Sequence, residues 1–95
     1  MPSRILERLR ARVRARLYVM TLHAEEEMEE DGLTVVDVES ALLAGRIVGR
    51  QTDRQSNERK YVVRGRSADD TVDVVVVVVK FGPTDLVVIL TVYGD

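Results

Sequence analysis

The sequence of 95 residues contains no cysteine and only one histidine. The absence of cysteine excludes a disulfide scaffold, a thiol nucleophile and every zinc site that needs cysteine ligands. A single histidine excludes an all-histidine metal centre, and we predict neither a metal nor a cofactor. The longest apolar runs are Val74–Val79 and Leu86–Leu90, and both are far too short to span a bilayer.

The sequence also has little net charge, because 14 Lys and Arg residues stand against 16 Asp and Glu residues, giving −2. A charge this small provides no overall attraction to nucleic acid or to an anionic membrane. The arginine-rich N-terminus lacks the apolar run of a secretory signal, so we expect a cytoplasmic protein with no membrane association. A chain of this length forms one domain.

The charges are nevertheless separated along the chain. Residues 1–20 contain six arginines and one acidic residue, Glu7, whereas residues 21–31 contain six acidic residues and no Lys or Arg. Arginines four residues apart on a helix repel each other. We therefore expect the arginines to neutralise the acidic segment, in the same chain or in a partner chain. Contact between the arginines and nucleic-acid phosphates is the alternative.

Three helices are predicted, at residues 3–16, 22–31 and 34–45. Ser3, Thr21 and Thr34 are their N-caps, because each hydroxyl can accept a hydrogen bond from the first turn. Asp37 occupies the position that completes a capping box with Thr34. Gly32 fits the left-handed position that ends the second helix.

The remainder of the chain is predicted to form strands at residues 47–51, 60–64, 71–80 and 86–93. Neighbouring side chains of a strand point to opposite faces, so the six consecutive valines Val74–Val79 predict a strand buried on both sides. The second and third helices cover one face of an antiparallel sheet of about four strands. The first helix, a second copy of the chain, or both must cover the other face, and we predict a homodimer.

Several short motifs follow one another over residues 20–93. They are Leu22-His23-Ala24 with Met28, Asp31-Gly32-Leu33-Thr34, Asp37-Val38-Glu39, Gly45-Arg46-Ile47, Arg59-Lys60-Tyr61, Gly82-Pro83-Thr84 and Thr91-Val92-Tyr93. In this order and spacing they resemble a bacterial family of domains of unknown function, family 4258. The resemblance divides the single domain, residues 1–95, into an arginine-rich helical extension at 1–19 and a family core at 20–95.

The resemblance implies an α+β fold in which N-terminal helices precede an antiparallel sheet, similar to the RelE-like and BrnT-like toxin ribonucleases. On the same basis we predict a toxin-type endoribonuclease, with RNA as its substrate and an antitoxin-like protein as its partner. The alternative is a non-enzymatic protein-interaction module, or a toxin fold that has lost its active site and acts through homodimerisation.

His23 is the candidate general acid or base of such an enzyme, since histidine titrates near neutral pH. Glu26 and Glu27 follow three and four residues later and can pair with it on one helix. The structural alternative is a histidine that packs against the start of the helix and hydrogen-bonds to the sheet.

Basic residues of the predicted strands form the second candidate site: Arg50, Arg54, Arg59, Lys60, Arg64 and Arg66. Arg54, Lys60 and Arg64 would hold the scissile phosphate, because cations stabilise its developing charge. Lys60 and Arg64 share a face if the strand is regular. Tyr93 and Tyr61 could stack on a base or donate a proton. The alternative is a solvated strand face whose cations pair with Asp53, Glu58 and Asp73.

Overall fold

A computed structural model of the chain describes residues 3–94 and has the predicted α+β fold. Its elements are α1 (Arg4–Arg14), β1 (Tyr18–Met20), α2 (Leu22–Glu30), α3 (Val35–Ala44), β2 (Arg46–Thr52), β3 (Arg59–Gly65), β4 (Val75–Phe81) and β5 (Val87–Gly94). A short 3-10 turn, Pro83–Asp85, joins β4 to β5. None of the helices described is long and apolar enough to cross a membrane.

Each of the three helices begins directly after a residue whose side chain caps it. The hydroxyls of Ser3, Thr21 and Thr34 each accept a hydrogen bond from the backbone N–H three residues later. Asp37 completes the predicted capping box with Thr34. Gly32 ends α2 with a φ of +67°. The caps satisfy peptide groups that have no partner within a helix, so the helix predictions are confirmed to within two residues at each end.

The five strands form one mixed sheet in the order β1-β5-β4-β3-β2. Neighbours among β2, β3, β4 and β5 are antiparallel, whereas β1 pairs parallel to β5, with Tyr18 opposite Val87. The structure therefore corrects the expected antiparallel sheet of four strands to a mixed sheet of five. A segment of three residues is too short to show the alternation that identifies a strand.

All three helices pack against the same face of the sheet, which we call the covered face. Val77, Val79 and Ile89 point to this face, are 0% exposed, and belong to one apolar core. α1 contributes Leu9 and Val13, which are 0% and 2% exposed, to the same core. Of the alternatives predicted for the second face of the valine strand, cover by α1 is therefore wrong, because α1 packs beside α3 and β5, and cover by a second copy of the chain stays a prediction.

α3 lies across β3 and β4 at close range. A Cβ atom built on Gly65 would lie 2.7 Å from the Cα of Ala41, so only a residue without a side chain allows this approach. The strand and the helix are therefore held at a fixed spacing where β3 ends.

The arginines of α1 bind elsewhere than predicted. Arg8 and Arg12 both form ion pairs with Asp85, in the turn between β4 and β5, and the hydrogen bond from Arg8 lowers the pKa of that carboxyl group. Arg10 donates a hydrogen bond to the C=O of Gly45 at 2.6 Å. Within residues 3–94 no arginine of α1 forms an ion pair with the acidic segment of α2, so the predicted neutralisation does not occur within the same chain, and neutralisation by a partner chain stays a prediction.

Candidate nucleic-acid interface

The second face of the sheet carries no helix among the described residues, and we call it the open face. Strand register and side-chain alternation assign to it Val19, Arg46, Gly49, Gln51, Lys60, Val62, Arg64, Val76, Val78, Lys80, Val88, Thr91 and Tyr93. Val76 is the one buried apolar residue of the described chain that lies outside the core cluster. Tyr93 is 43% exposed. The helices of the described part of the chain therefore cover the valine run on one side only.

Apolar side chains occupy the centre of the open face and cations occupy its two ends. One row crosses four strands, in which Tyr93 pairs with Val76, Val76 with Arg64, and Arg64 with Arg46. Lys60 lies on the same face of β3, four residues before Arg64, as the sequence predicts. Because neighbouring strands are about 5 Å apart, Arg64 and Tyr93 lie about 10 Å apart across the sheet.

The open face keeps positive charges that folding does not neutralise. In the strands described, no Asp or Glu side chain points to this face. Lys80 is paired, since its Nζ lies 3.0 Å from Oε2 of Glu58. Arg46, Lys60 and Arg64 form no ion pair with any residue between 3 and 94. The surface is therefore suited to an anionic ligand.

Arg66 differs from the other basic residues of the predicted site. Its guanidinium group lies 3.3 Å from Oδ1 of Asp73 and 3.6 Å from Oδ1 of Asp70. The solvated-face alternative therefore holds for Arg66 and for Lys80 with Glu58, but not for Arg64.

Arg54 lies in the loop between β2 and β3. Oδ1 of Asp53 accepts a hydrogen bond from the N–H of Gln55 at 2.9 Å, and this bond lowers the pKa of Asp53. Asp53 therefore organises the loop. The structural alternative had expected it to pair with a cation of the strands, and it does not. Arg64 lies at the opposite end of the same hairpin, so the structure does not bring Arg54 to the row that contains Arg64 and Tyr93.

His23 is exposed at the start of α2, with 70% of its side chain accessible, and Nε2 lies 3.1 Å from Oε1 of Glu27. The same Glu27 oxygen accepts a hydrogen bond from the N–H of Val92 at 3.4 Å. Through Glu27 the imidazole therefore lies beside the edge of β5, the strand that carries Tyr93. It is not packed against the start of the helix. Because β4 separates β5 from β3, His23 is not grouped with Lys60 in one cleft.

Two carboxylates, one in α2 and one directly after it, have a structural role that sequence analysis missed. Oδ2 of Asp31 accepts a hydrogen bond from the N–H of Gly94 at 2.8 Å, and Glu27 binds the N–H of Val92 in the same way. β1 pairs only with the first half of β5, so these carboxylates satisfy peptide groups of the second half and close that edge to other strands. The signal for this role in the sequence is the spacing: the two carboxylates are four residues apart, and the N–H groups that they bind are two residues apart on β5.

Tyr61 points to the covered face and is only 5% exposed. Its ring packs edge-on against Phe81, with 6.1 Å between the ring centres. The prediction that Tyr61 could stack on a base is therefore wrong, and Tyr93 is the aromatic residue of the open face.

The candidate interface is a flat surface. Two surface depressions of about 570 Å³ and 360 Å³ are lined by none of the predicted site residues His23, Arg54, Lys60, Arg64 and Tyr93. Within residues 3–94 no group of three or more potential metal ligands converges.

The fold and this surface define a small α+β domain with one helix-covered and one basic, open sheet face. The model of the family Domain of unknown function (DUF4258) matches residues 20–94, and the chain belongs to that family. The predicted family is thus confirmed, and α1 precedes the matched region. The comparison with curated proteins and the comparison with solved structures each found no match.

Proposed function

We propose that the open face binds single-stranded RNA. The observation that carries the proposal is the set of three cations, Arg46, Lys60 and Arg64, that form no ion pair within the described chain and lie on a face to which the described strands contribute no carboxylate. Folding leaves these charges available, and phosphate neutralisation by such side chains supplies most of the affinity for a nucleic-acid backbone.

The arrangement suits a single strand because a flat sheet face supports both parts of the ligand. The guanidinium of Arg64 can bind a phosphate in a bidentate manner, while the exposed ring of Tyr93, on the same cross-strand row, offers a surface on which a base can stack. The resemblance to toxin-type ribonucleases agrees with RNA as the ligand class.

The experiment compares two arginines that differ in their partners. Arg64→Gln removes from the open face a cation that forms no ion pair with the residues the structure describes, whereas Arg66→Gln removes the same charge from a side chain that is paired with Asp70 and Asp73. Binding of a fluorescent single-stranded oligouridine is measured over a range of salt concentrations. For Arg64→Gln we expect weaker binding and a log–log salt slope that is smaller by about 0.7, the loss of one phosphate contact. Equal effects of the two changes would contradict the proposal.

An acidic protein segment is the competing ligand for a basic face, and Tyr93 separates the two. Tyr93→Leu keeps an apolar side chain but removes the ring, so affinity for oligouridine should fall by several-fold, as expected for one lost stack. Affinity for polyglutamate should be unchanged. Polyglutamate that binds as tightly as oligouridine would instead favour the antitoxin-like partner.

RNA cleavage is a second candidate function, favoured by the placement of His23. Its imidazole pairs with Glu27 at the edge of the strand that carries Tyr93, and an RNA strand that passes from the open face over this edge would meet it there for proton transfer. Tyr93 would assist, and Lys60 and Arg64 would hold the phosphates, with Arg54 at the far end of the hairpin. His23→Asn should abolish cleavage of oligouridine and leave its binding intact. Equal cleavage rates would remove His23 from the reaction.

Homodimerisation through the open face is the alternative use of this surface. A symmetric pair of open faces would bring Arg64 and Lys60 of one copy towards the cations of the other, which costs free energy unless an anion lies between them. Sedimentation of the RNA-free protein at micromolar concentration is therefore expected to give a mass near 10.7 kDa. Twice that mass would favour the homodimer.

A further inference from the structure

β1 is an edge strand of the sheet, and among residues 3–94 no strand pairs with the second side of its backbone. The C=O of Leu17 accepts a hydrogen bond from Val87, and the N–H of Thr21 donates one to Ile89. Both bonds come from odd-numbered residues, and peptide groups alternate in direction along a strand. The N–H and C=O groups of Tyr18 and Met20 therefore point away from β5, to the free edge of the sheet.

A groove of about 570 Å³ runs beside this free edge. Its walls are β1 on one side and, on the other, residues of α2 and the start of α3: Glu25, Met28, Glu29 and Val35. Arg16 lines one end. The groove therefore offers backbone hydrogen-bonding groups and apolar surface to the same ligand.

Exposed apolar residues are concentrated in the segment of the chain that forms the groove. Of the seven large hydrophobic residues that are exposed in the described chain, five lie between positions 17 and 36: Leu17, Val19, Leu22, Val35 and Val36. Val19 and Val35 line the groove, with 47% and 42% of their surfaces accessible. Concentration of exposed apolar surface next to an open edge is typical of a binding site.

The two halves of this sheet edge differ in whether side chains bind their backbone N–H groups. Beyond β1, the edge of β5 is closed by Glu27 and Asp31, which bind the N–H groups of Val92 and Gly94. β1 itself carries no Lys or Pro, the residues that usually protect an edge strand. The fold therefore leaves one short stretch of backbone open in an edge that it otherwise closes.

We propose that this groove binds an extended, basic segment of a partner protein, which adds to the sheet as a strand beside β1. The charge of the lining selects the occupant. Glu25 and Glu29 are both exposed and outnumber the one cation, Arg16, so a segment with Lys or Arg is attracted. A second copy of the chain paired through its own β1 would bring the same carboxylates together and is disfavoured.

The test uses a seven-residue peptide that alternates lysine and valine, titrated into the ¹⁵N-labelled full-length chain. We expect chemical-shift changes at β1 and along the groove side of α2, and slower hydrogen exchange of the Tyr18 and Met20 amides. Exchange protection reports strand addition, which a merely electrostatic contact with α2 would not produce.

Three controls make the result decisive. The same peptide with glutamate in place of lysine should bind at least about fivefold more weakly, because its charge opposes that of the groove. The peptide with N-methyl groups on every residue should leave the two amides unprotected, because it cannot donate hydrogen bonds to the C=O groups of Tyr18 and Met20 and therefore cannot pair as a strand. Glu29→Gln should weaken binding of the lysine peptide, whereas Glu30→Gln, an exposed change on the same helix outside the groove lining, should not.

Several results would overturn the proposal. Equal binding of the lysine and glutamate peptides would remove the charge argument, and shift changes confined to the open face would place the ligand elsewhere. Protection of the Tyr18 and Met20 amides that rises with protein concentration alone would identify a second copy as the occupant. None of these results depends on RNA binding by the open face, so the two proposals fail separately.

Discussion

The two faces of the sheet are built from the same residue type and differ in what surrounds them. Val77 and Val79 point to the helices and are completely buried, whereas Val78, between them on the same strand, points to the face that no described helix covers. Next to Val78 the open face carries Lys60 and Arg64 at its ends. An apolar run therefore predicts that a segment forms a strand, whereas the polar residues on the neighbouring strands indicate which face of the sheet is available to a ligand.

The largest expected effect on stability concerns α1, which packs on the covered face and not on the open face. Leu9→Ala should lower the free energy of unfolding by about 2–5 kcal/mol, because it leaves a cavity in a fully buried position. Leu17→Ala is the matched control, since Leu17 is 48% exposed, and it should cost less than about 0.5 kcal/mol. Urea unfolding measures both. A cost for Leu9→Ala as small as that for Leu17→Ala would mean that α1 does not pack into this core.

The same substitution at adjacent positions of β4 compares the faces directly. Val77→Thr places a hydroxyl group in the apolar core and should destabilise the fold by about 1–3 kcal/mol. Val78→Thr places the same group on the open face, where water can reach it, and the cost should be below about 0.5 kcal/mol. Similar costs for both changes, measured by urea unfolding, would show that the open face is covered in solution.

A smaller effect concerns the start of α3, which covers β3 and β4. Asp37→Ala removes the capping box and the hydrogen bond from the N–H of Ala68, which is 3.0 Å long, and should cost about 1 kcal/mol at neutral pH. The pKa of Asp37 is lowered, chiefly by the N–H of Thr34. A lowered pKa in the folded state gives stability that is present above the unfolded value of 3.8 and lost as the pH falls through the folded value. Urea unfolding from pH 7 to pH 2 should therefore show the wild type losing its advantage over the variant below about pH 4. A difference that is constant with pH would contradict the role of the carboxylate.

The smallest expected effect concerns the ion pairs that tie α1 to the β4–β5 turn. Arg8 pairs with Asp85 and lies over the ring of Phe81, 3.8 Å from its centre. Arg8→Gln should cost about 0.5–1 kcal/mol, and less at high salt, because the pair is partly exposed and therefore screened. Arg4→Gln, at an exposed position of the same helix, should have no measurable effect. Thermal unfolding at low and high salt distinguishes the two, and a salt-independent loss for Arg8→Gln would favour packing on Phe81 as its main contribution.

Local signals in the sequence predict most of the fold. The N-caps at Ser3, Thr21 and Thr34 and the turn at Gly32 depend on residues within a few positions of each other, so the helices are predicted closely. β1 was missed because its three residues become a strand only by pairing with β5, almost seventy residues later. Its sequence signal is weak: one aromatic and one β-branched residue, Tyr18 and Val19, separated by Met20 from the cap of α2.

The candidate site was less predictable, because the residues that belong to it depend on which face of the sheet the helices cover. Side-chain alternation placed Lys60 and Arg64 on one face of β3. It could not show that this face is the open one, so Tyr61, which points to the core, was not excluded from the site. Arg46 was not included, because it belongs to the site only through its pairing with Arg64. The partners of the α1 arginines are set by the position of the β4–β5 turn in space. Side chains as long as arginine reach whichever carboxylate the fold brings near, so sequence neighbours are a poor guide.

The most direct test of the central claim is a titration of the methyl-labelled chain with single-stranded oligouridine, followed by the valine methyl resonances. The open face predicts shift changes at Val62 and Val78, with much smaller changes at Val63 and Val77, their buried neighbours on the same two strands. Changes confined to α1 or α2, or no change at saturating RNA, would contradict the assignment of the open face as the functional surface.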